Sequence, residues 1–224
     1  MKKDNLNNKN KDELIEIIKK IRKEKRYGLV WEDIPEDKVD NLKKNHSVLI
    51  NNQKFNLINN SDINHNLLIE GDNLDALYAL SSAFSKKIDL IYIDPPYNTG
   101  ATDWKYNNKF VDSEDGFRHS KWLNMMESRL KLSKRLLKDG GVICVTIDDY
   151  ELPALWMLLN EIFDESNNLG VVTIRNNPKG RPQNDRKISQ IHEYALFYGK
   201  SKKAKINRLE VKFEDKSHKY VKRI

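Results

Sequence analysis

Two short runs, IDLIYID at residues 88–94 and VICVTID at 142–148, constrain this chain more than any other feature. Each is apolar almost without interruption and rich in β-branched residues, the pattern of a strand covered on both faces. Between them SKWLNMMESRLKLSKRLLKD, residues 120–139, spaces its apolar residues as a long helix does, with Ser120 as a candidate cap and Gly140-Gly141 as the stop. Strand, helix and strand recur on either side. NLLIEGD (66–72) is a predicted strand, NLDALYALSSAF (73–84) a helix capped by Asp72 or Asn73, and YELPALWMLLNEIF (150–163) another helix. VVTIR (171–175) and HEYALFYG (192–199) are predicted strands. The alternation predicts an α/β fold, doubly wound around a mostly parallel sheet.

The ends of the chain differ from this middle. Residues 11–26 place Leu14, Ile17, Ile18 and Ile21 on one stripe of an N-terminal amphipathic helix, followed by a connector rich in acids and proline and an Asn-rich stretch at 40–65. The expected division is residues 1–65 as helix and connector, 66–200 as the main domain, and 201–224 as a basic tail. No apolar run is long enough to span a bilayer, and the start has no apolar core of a secretory signal. Cys144 is the only cysteine and lies in an apolar strand, so a disulfide is excluded and a cytoplasmic setting is expected. Residues 51–175 carry 13 Lys/Arg against 18 Asp/Glu, whereas residues 176–224 carry 14 against 5. A polyanion contact near the end of the chain is one reading of that contrast, and a solvated lysine-rich tail the other.

Three predicted strands end in acid, at Glu70/Asp72, Asp94 and Asp148/Asp149. Ligands of open α/β sheets bind outside the carboxyl ends of their strands. Capping of the next helix accounts for Asp148 and Asp149. It does not account for Asp94, because Pro95 and Pro96 follow and no helical pattern begins there. The nine glycines include no pair spaced as in G-x-x-x-x-G-K-[ST] or G-x-G, which excludes a P-loop and a Rossmann fingerprint. The five histidines form no ligand pair, so no metal site is expected.

Asp94, Pro95, Pro96 and Tyr97 offer a carboxylate, a backbone carbonyl that no strand need claim, and an aromatic face, held stiffly together. Two acceptors beside a stacking surface suit an exocyclic amine on a planar base. Accepting both N–H bonds at Asp94 and the Pro95 carbonyl favours a pyramidal nitrogen and frees its lone pair for attack on an electrophilic methyl. Tyr97 would stack on a base taken out of the duplex.

DPPYNTG resembles the catalytic motif of amino-group DNA methyltransferases, in which Asp at the first position goes chiefly with adenine N6 and Ser with cytosine N4. KRYGLVWED, NLLIEGDNLDAL, HSKWLNMMESRLKLSKRLLKDGGVICVTIDD and HEYALFYGK together are similar to the methylating (Mod) subunit of type III restriction–modification systems over most of residues 12–200. The resemblance implies the methyltransferase fold, S-adenosyl-L-methionine as methyl donor, double-stranded DNA as substrate, and a possible restriction (Res) subunit and homodimer as partners. It implies Asp94, Pro95, Pro96 and Tyr97 as catalytic residues, and Asp72 and Asp94 near the cofactor. The family's glycine-rich F-x-G-x-G strand has no counterpart here, so the chain is expected to be the N-terminal portion of a longer methyltransferase with an incomplete sheet. A catalytically silent DNA-binding or assembly fragment is the alternative; methylation of RNA or of a protein glutamine fits the flanks less well. Lys179, Arg181, Arg186 and Lys187, in a polar loop at a strand exit, are the expected DNA contacts, with Lys200 to Lys205 beyond. The polar segment 98–118, with Trp104, Tyr106 and Phe110, is expected to be a mobile lid.

Overall fold

A computed structural model describes residues 10–15, 29–44, 47–55, 66–176 and 191–207. The chain divides into two compact units, Met1–Trp31 and Glu32–Ile224. In the first, residues 11–15 are helical; the remainder of the expected helix lies outside the described residues. In the second, the elements run α1 (Asp37–Lys44), α2 (Asn73–Ala83), β1 (Ile88–Ile93), β2 (Ala101–Tyr106), β3 (Lys109–Asp112), α3 (Arg118–Leu136), β4 (Leu137–Ile147), α4 (Leu152–Phe163), β5 (Asn168–Arg175) and β6 (His192–Gly199).

The sheet has the order β1-β4-β6-β5. Strands β1 and β4 pair in parallel, with Tyr92 opposite Cys144, and α3 makes the crossover between them. Strand β6 runs antiparallel to both its neighbours, setting Tyr194 opposite Ile147 of β4 and His192 opposite Arg175 of β5. The α/β fold is as expected, but the sheet is mixed rather than mostly parallel. β5 and β6 follow one another without a helix between described residues, and antiparallel pairing needs no crossover. Residues 66–70, the first expected strand, form no strand.

Burial centres on β4, whose residues 141–147 are all buried. Trp122 and Leu130 of α3, Leu155, Leu158 and Leu159 of α4, and Tyr198 of β6 are completely enclosed. Burying each such side chain contributes on the order of 1.5–3 kcal/mol. β1 behaves differently. Its sequence looks covered on both faces, yet Leu90 and Tyr92 are 60% and 64% exposed. β1 is an edge strand with no partner on its outer side among the described residues. Hydrophobic pattern reports what a strand can tolerate, and the edge position is decided by what pairs with it.

Residues 32–44 belong with this unit. Leu42 of α1 packs on Leu74 and Leu132, and Arg129 of α3 forms a largely buried ion pair with Glu36 at 2.7 Å. Tyr106 donates a hydrogen bond to the Ile34 carbonyl at 2.5 Å. The long helix begins at Arg118 with no side-chain cap, so Ser120 lies inside it. It ends at Leu136, where the chain turns directly into β4, and Gly140 and Gly141 lie within that strand.

Candidate catalytic turn

β1 delivers Asp94 to the carboxyl end of the sheet, and the two prolines that follow fix φ and carry no N–H, so the chain leaves the sheet along one stiff path. Side chains from three other elements hold it. Thr146 near the end of β4 donates to Asp94 Oδ1 at 2.6 Å. The enclosed Trp122 of α3 donates its Nε1–H to the Pro96 carbonyl at 2.7 Å. Tyr97 donates its hydroxyl to Glu193 Oε2 of β6 at 3.2 Å. Asp94 is exposed and Pro95 buried; among the described residues no hydrogen bond ends on the Pro95 carbonyl. Desolvation, reinforced by the negative charges of Asp94 and Glu193 against the opposing Thr146 bond, pushes the Tyr97 hydroxyl well above its ordinary range, so it stays protonated and donates.

Beyond Tyr97 the backbone enters the left-handed region at Asn98, φ 58°, and again at Gly100, φ 86°. Asn tolerates that conformation better than other residues with a Cβ. At Gly100 a Cβ would also come within 3.1 Å of the Arg118 guanidinium and of Ser113. Asn98 is fully buried, and its amide is used at both ends. Its Nδ2 donates to Glu151 Oε1 at 2.5 Å, and its Oδ1 accepts from Trp104 Nε1 at 3.1 Å. Glu151, also fully buried, receives a second bond at the same oxygen from His119 Nδ1 at 2.6 Å. Among the described residues its Oε2 has no hydrogen-bond partner. Burial raises the Glu151 carboxyl above the usual carboxylate range, against the lowering effect of Asn98 and His119.

The segment expected to be a mobile lid is largely a β2–β3 hairpin. Trp104 and Tyr106 are buried in it, edge to face at 6.2 Å, while Phe110 is 56% exposed beneath the Lys105 ammonium. Asn107 and Asn108 both have positive φ, the signature of a two-residue type I′ turn. The aromatics anchor the turn in place of covering it as a lid.

Asp72 caps α2, accepting from the Leu74 and Asp75 N–H groups at Oδ1, and pairs with Lys38 at 2.8 Å through Oδ2. Desolvation works to raise its pKa, but Lys38 and the two N–H groups outweigh it and hold the carboxyl below the usual range. Asp148 accepts from the Tyr150 N–H at 2.9 Å and Asp149 from the Tyr194 hydroxyl, but the cap position of α4 is Glu151, with no side-chain cap bond, so the expected capping by Asp148 or Asp149 is not found. Lys179, Arg181, Arg186 and Lys187 lie outside the described residues. Their segment departs at Asn176 and returns at Ile191, joined by a backbone bond of 3.1 Å at the same end of the sheet as Asp94. Lys200 lies at the opposite end, bonded to the Leu137 carbonyl. There it joins Lys86, Lys131, Lys134 and Arg135 around a concavity of about 560 Å³, too far from Asp94 to share its chemistry.

Sequence reasoning singled out Asp94 to Tyr97 but not the side chains that surround them here, Thr146, Trp122, Glu193, Asn98, Glu151 and His119. One signal was available: Glu151 directly precedes the apolar run LPALWMLL that opens α4.

Residues 88–223 match the model of the N6/N4 DNA methylase family, and the chain belongs to that family. It is 49% identical over 110 residues to the probable type III restriction-modification enzyme HindVI Mod subunit of Haemophilus influenzae, covering 49% of this chain and 14% of that protein. It is 37% identical to the type II methyltransferase M.KpnI of Klebsiella pneumoniae, over 71% of this chain and 39% of that one, and 30% identical to the type III EcoP15I Mod subunit of Escherichia coli, over 91% and 35%. The chain thus spans well under half the length of these relatives. A putative DNA modification methylase of Thermus thermophilus, solved with S-adenosyl-L-methionine, superposes with a TM-score of 0.43 at 18% identity over 62% of this chain and 54% of that one.

Proposed function

We propose that this chain is the base-binding half of a site-specific DNA methyltransferase that moves a methyl group from S-adenosyl-L-methionine to adenine N6, within a restriction–modification system. The observation that carries the reading is the turn itself: an exposed Asp94 carboxylate and a Pro95 carbonyl with no partner, fixed side by side by Thr146 and Trp122. Asp at the first motif position favours adenine. Asp94 and the Pro95 carbonyl accept the two amine hydrogens, and Tyr97 offers its ring to the base after releasing Glu193. Lys179, Arg181, Arg186 and Lys187 contact the phosphates of double-stranded DNA from the segment that leaves the sheet at the catalytic end. By likeness to the type III Mod subunits, a Res subunit and a second copy of the chain are the expected partners, in the cytoplasm.

The cofactor, when bound, supplies an electrophilic methyl. The residues present fit the acceptor side of that reaction better than the cofactor side. The Asp72 carboxylate is occupied by two N–H groups and Lys38, and no two of the nine glycines are spaced G-x-G to let backbone approach the methionine end. This favours a second reading, a silent DNA-binding or assembly fragment, and one experiment separates them. The chain is assayed by calorimetry with the cofactor, alone and mixed with the F-x-G-x-G portion of a related enzyme, and each sample is tested for labelled methyl on DNA. Weak binding alone and methyladenine from the mixture are expected. Methyl on cytosine refutes the adenine assignment, and a mixture that binds cofactor and DNA yet transfers nothing supports the silent fragment. Tight cofactor binding by the chain alone overturns the account of a partial fit.

A further inference from the structure

The buried carboxyl of Glu151 has no part in the chemistry described so far, yet bonds from the turn, the β2–β3 hairpin and the start of α3 all lead to it. Arg118 Nε can only donate, and it lies 3.2 Å from His119 Nε2. That ring nitrogen must therefore accept, which leaves the proton on Nδ1, directed at Glu151 Oε1. Asn98 donates to the same oxygen, and Trp104 donates to Asn98. Every bond runs one way, from the start of α3 and from the β2–β3 hairpin, and ends on a single oxygen at the head of α4. A buried acid is seldom kept unless something depends on it, because removing charge from water costs far more than packing an apolar group there.

We propose that Glu151 is a positioning residue for the catalytic turn: by gripping the Asn98 amide it sets the left-handed exit that aims Asp94, Pro95 and Tyr97. The inference rests on the methyltransferase reading above. The two prolines already restrict the middle of the turn, and Thr146 fixes its beginning at Asp94. The remaining backbone freedom is at Tyr97 and Asn98, and Asn98 is the residue that Glu151 holds. Thr146 and Glu151 are five positions apart where β4 passes into α4. One short segment therefore anchors both ends of the turn. Asn suits its position for two reasons: it accepts the positive φ, and its amide donates to Glu151 from one end while accepting from Trp104 at the other.

The test reverses the hydrogen bond. Asn98→Asp sets two carboxyls at 2.5 Å, which must repel or take up a shared proton. Asn98→Asp with Glu151→Gln instead restores one amide and one carboxylate in the opposite sense, the His119 proton moving to Nε2 so that Nδ1 accepts from the new amide and Arg118 is released. In the assembly that methylates DNA, Asn98→Asp lowers kcat by about 100-fold with little change in KM for DNA, and the double variant recovers to within about tenfold of the parent. The same variants of the chain alone, labelled at tyrosine, are followed by NMR: the Tyr97 ring signals shift in Asn98→Asp and return in the double variant. A merely stabilising role predicts a lower melting temperature with kcat and the Tyr97 signals unchanged in the folded protein, and that result overturns the proposal. Failure of the double variant to recover either readout also overturns it. If the parent assembly transfers no methyl to adenine, the methyltransferase reading has failed, and the Tyr97 signals alone then decide whether Glu151 positions the turn.

Discussion

Strands β1 and β4 lie side by side in parallel, and each leaves the sheet through an aspartate at the same end. The two aspartates have become different things. Asp148 folds back onto the Tyr150 N–H and the chain proceeds into α4. Asp94 is followed by two prolines, so it has no N–H on the next two residues to cap and is held from outside, by Thr146 of the neighbouring strand. The end of a parallel strand is a common place for a carboxylate. What sets the two apart is the chain that follows each, which either occupies the carboxylate or leaves it exposed. β4 itself is buried along its last seven residues and β1 is open on one face, so the rigid strand supplies the clamp and the exposed strand presents the acid.

The largest expected effect sets these two residues against each other. In the assembled enzyme Asp94→Ala lowers methyl transfer by about 1000-fold or more, the scale seen when a group directed at the reacting atoms is removed, with the melting temperature nearly unchanged. Asp94→Asn is also severely impaired, because an amide replaces one acceptor oxygen with a donor. Asp148→Ala loses about 1 kcal/mol of stability with its hydrogen bond to Tyr150 and leaves kcat close to the parent value. Full adenine methylation by Asp94→Asn would remove the acceptor mechanism, and loss of chemistry in a folded Asp148→Ala would remove the distinction between the two strand ends.

A second contrast sets the basic sequence between Asn176 and Ile191 against the basic cluster of Lys86, Lys131, Lys134, Arg135 and Lys200. Reversing Lys179, Arg181, Arg186 and Lys187 to Glu reduces the slope of log affinity for DNA against log salt by about 3 to 4, as expected for four lost phosphate contacts. Reversing Lys86, Lys131 and Arg135 of that cluster leaves the slope nearly intact. The converse result, in anisotropy titrations at several salt concentrations, moves the DNA to the far end of the sheet and away from Asp94.

Much of this was legible in the sequence because it is local. The apolar runs at 88–94 and 142–148, the proline pair after Asp94 and the cap at Asp72 each depend on residues close together in the chain. The β2–β3 hairpin was misread as a loop although it too left a local signal: Trp104 and Tyr106 are two apart and precede Asn107-Asn108, a period-2 pattern with turn residues, obscured by the polar residues around it. What was not legible is set by distance along the chain. Asn98 and Glu151 are 53 residues apart, and nothing near either predicts the other. The exposure of Leu90 and Tyr92 was hidden for a related reason. The strand is apolar enough for a central position, and its edge position follows from pairing rather than from its own residues.

The smallest effect concerns Asp72, where the capping and cofactor roles compete for one carboxylate. Asp72→Ala removes the acceptor for Leu74 and Asp75 and costs about 1 kcal/mol. Asp72→Asn keeps an acceptor oxygen and loses only the pairing with a half-exposed Lys38, a loss of about 0.5 kcal/mol or less. Because folding lowers the Asp72 pKa, the ionised carboxylate's contribution is present above the unfolded carboxyl's pKa and fades as pH falls through the folded value. The parent and Asp72→Asn therefore converge in thermal stability under strongly acidic conditions and separate slightly at neutral pH. If the carboxylate also serves the cofactor, Asp72→Asn in the assembled enzyme raises KM for S-adenosyl-L-methionine while the melting temperature barely moves. An unchanged KM leaves Asp72 as a helix cap, an acid occupied by its own chain as Asp148 is rather than one left exposed as Asp94 is.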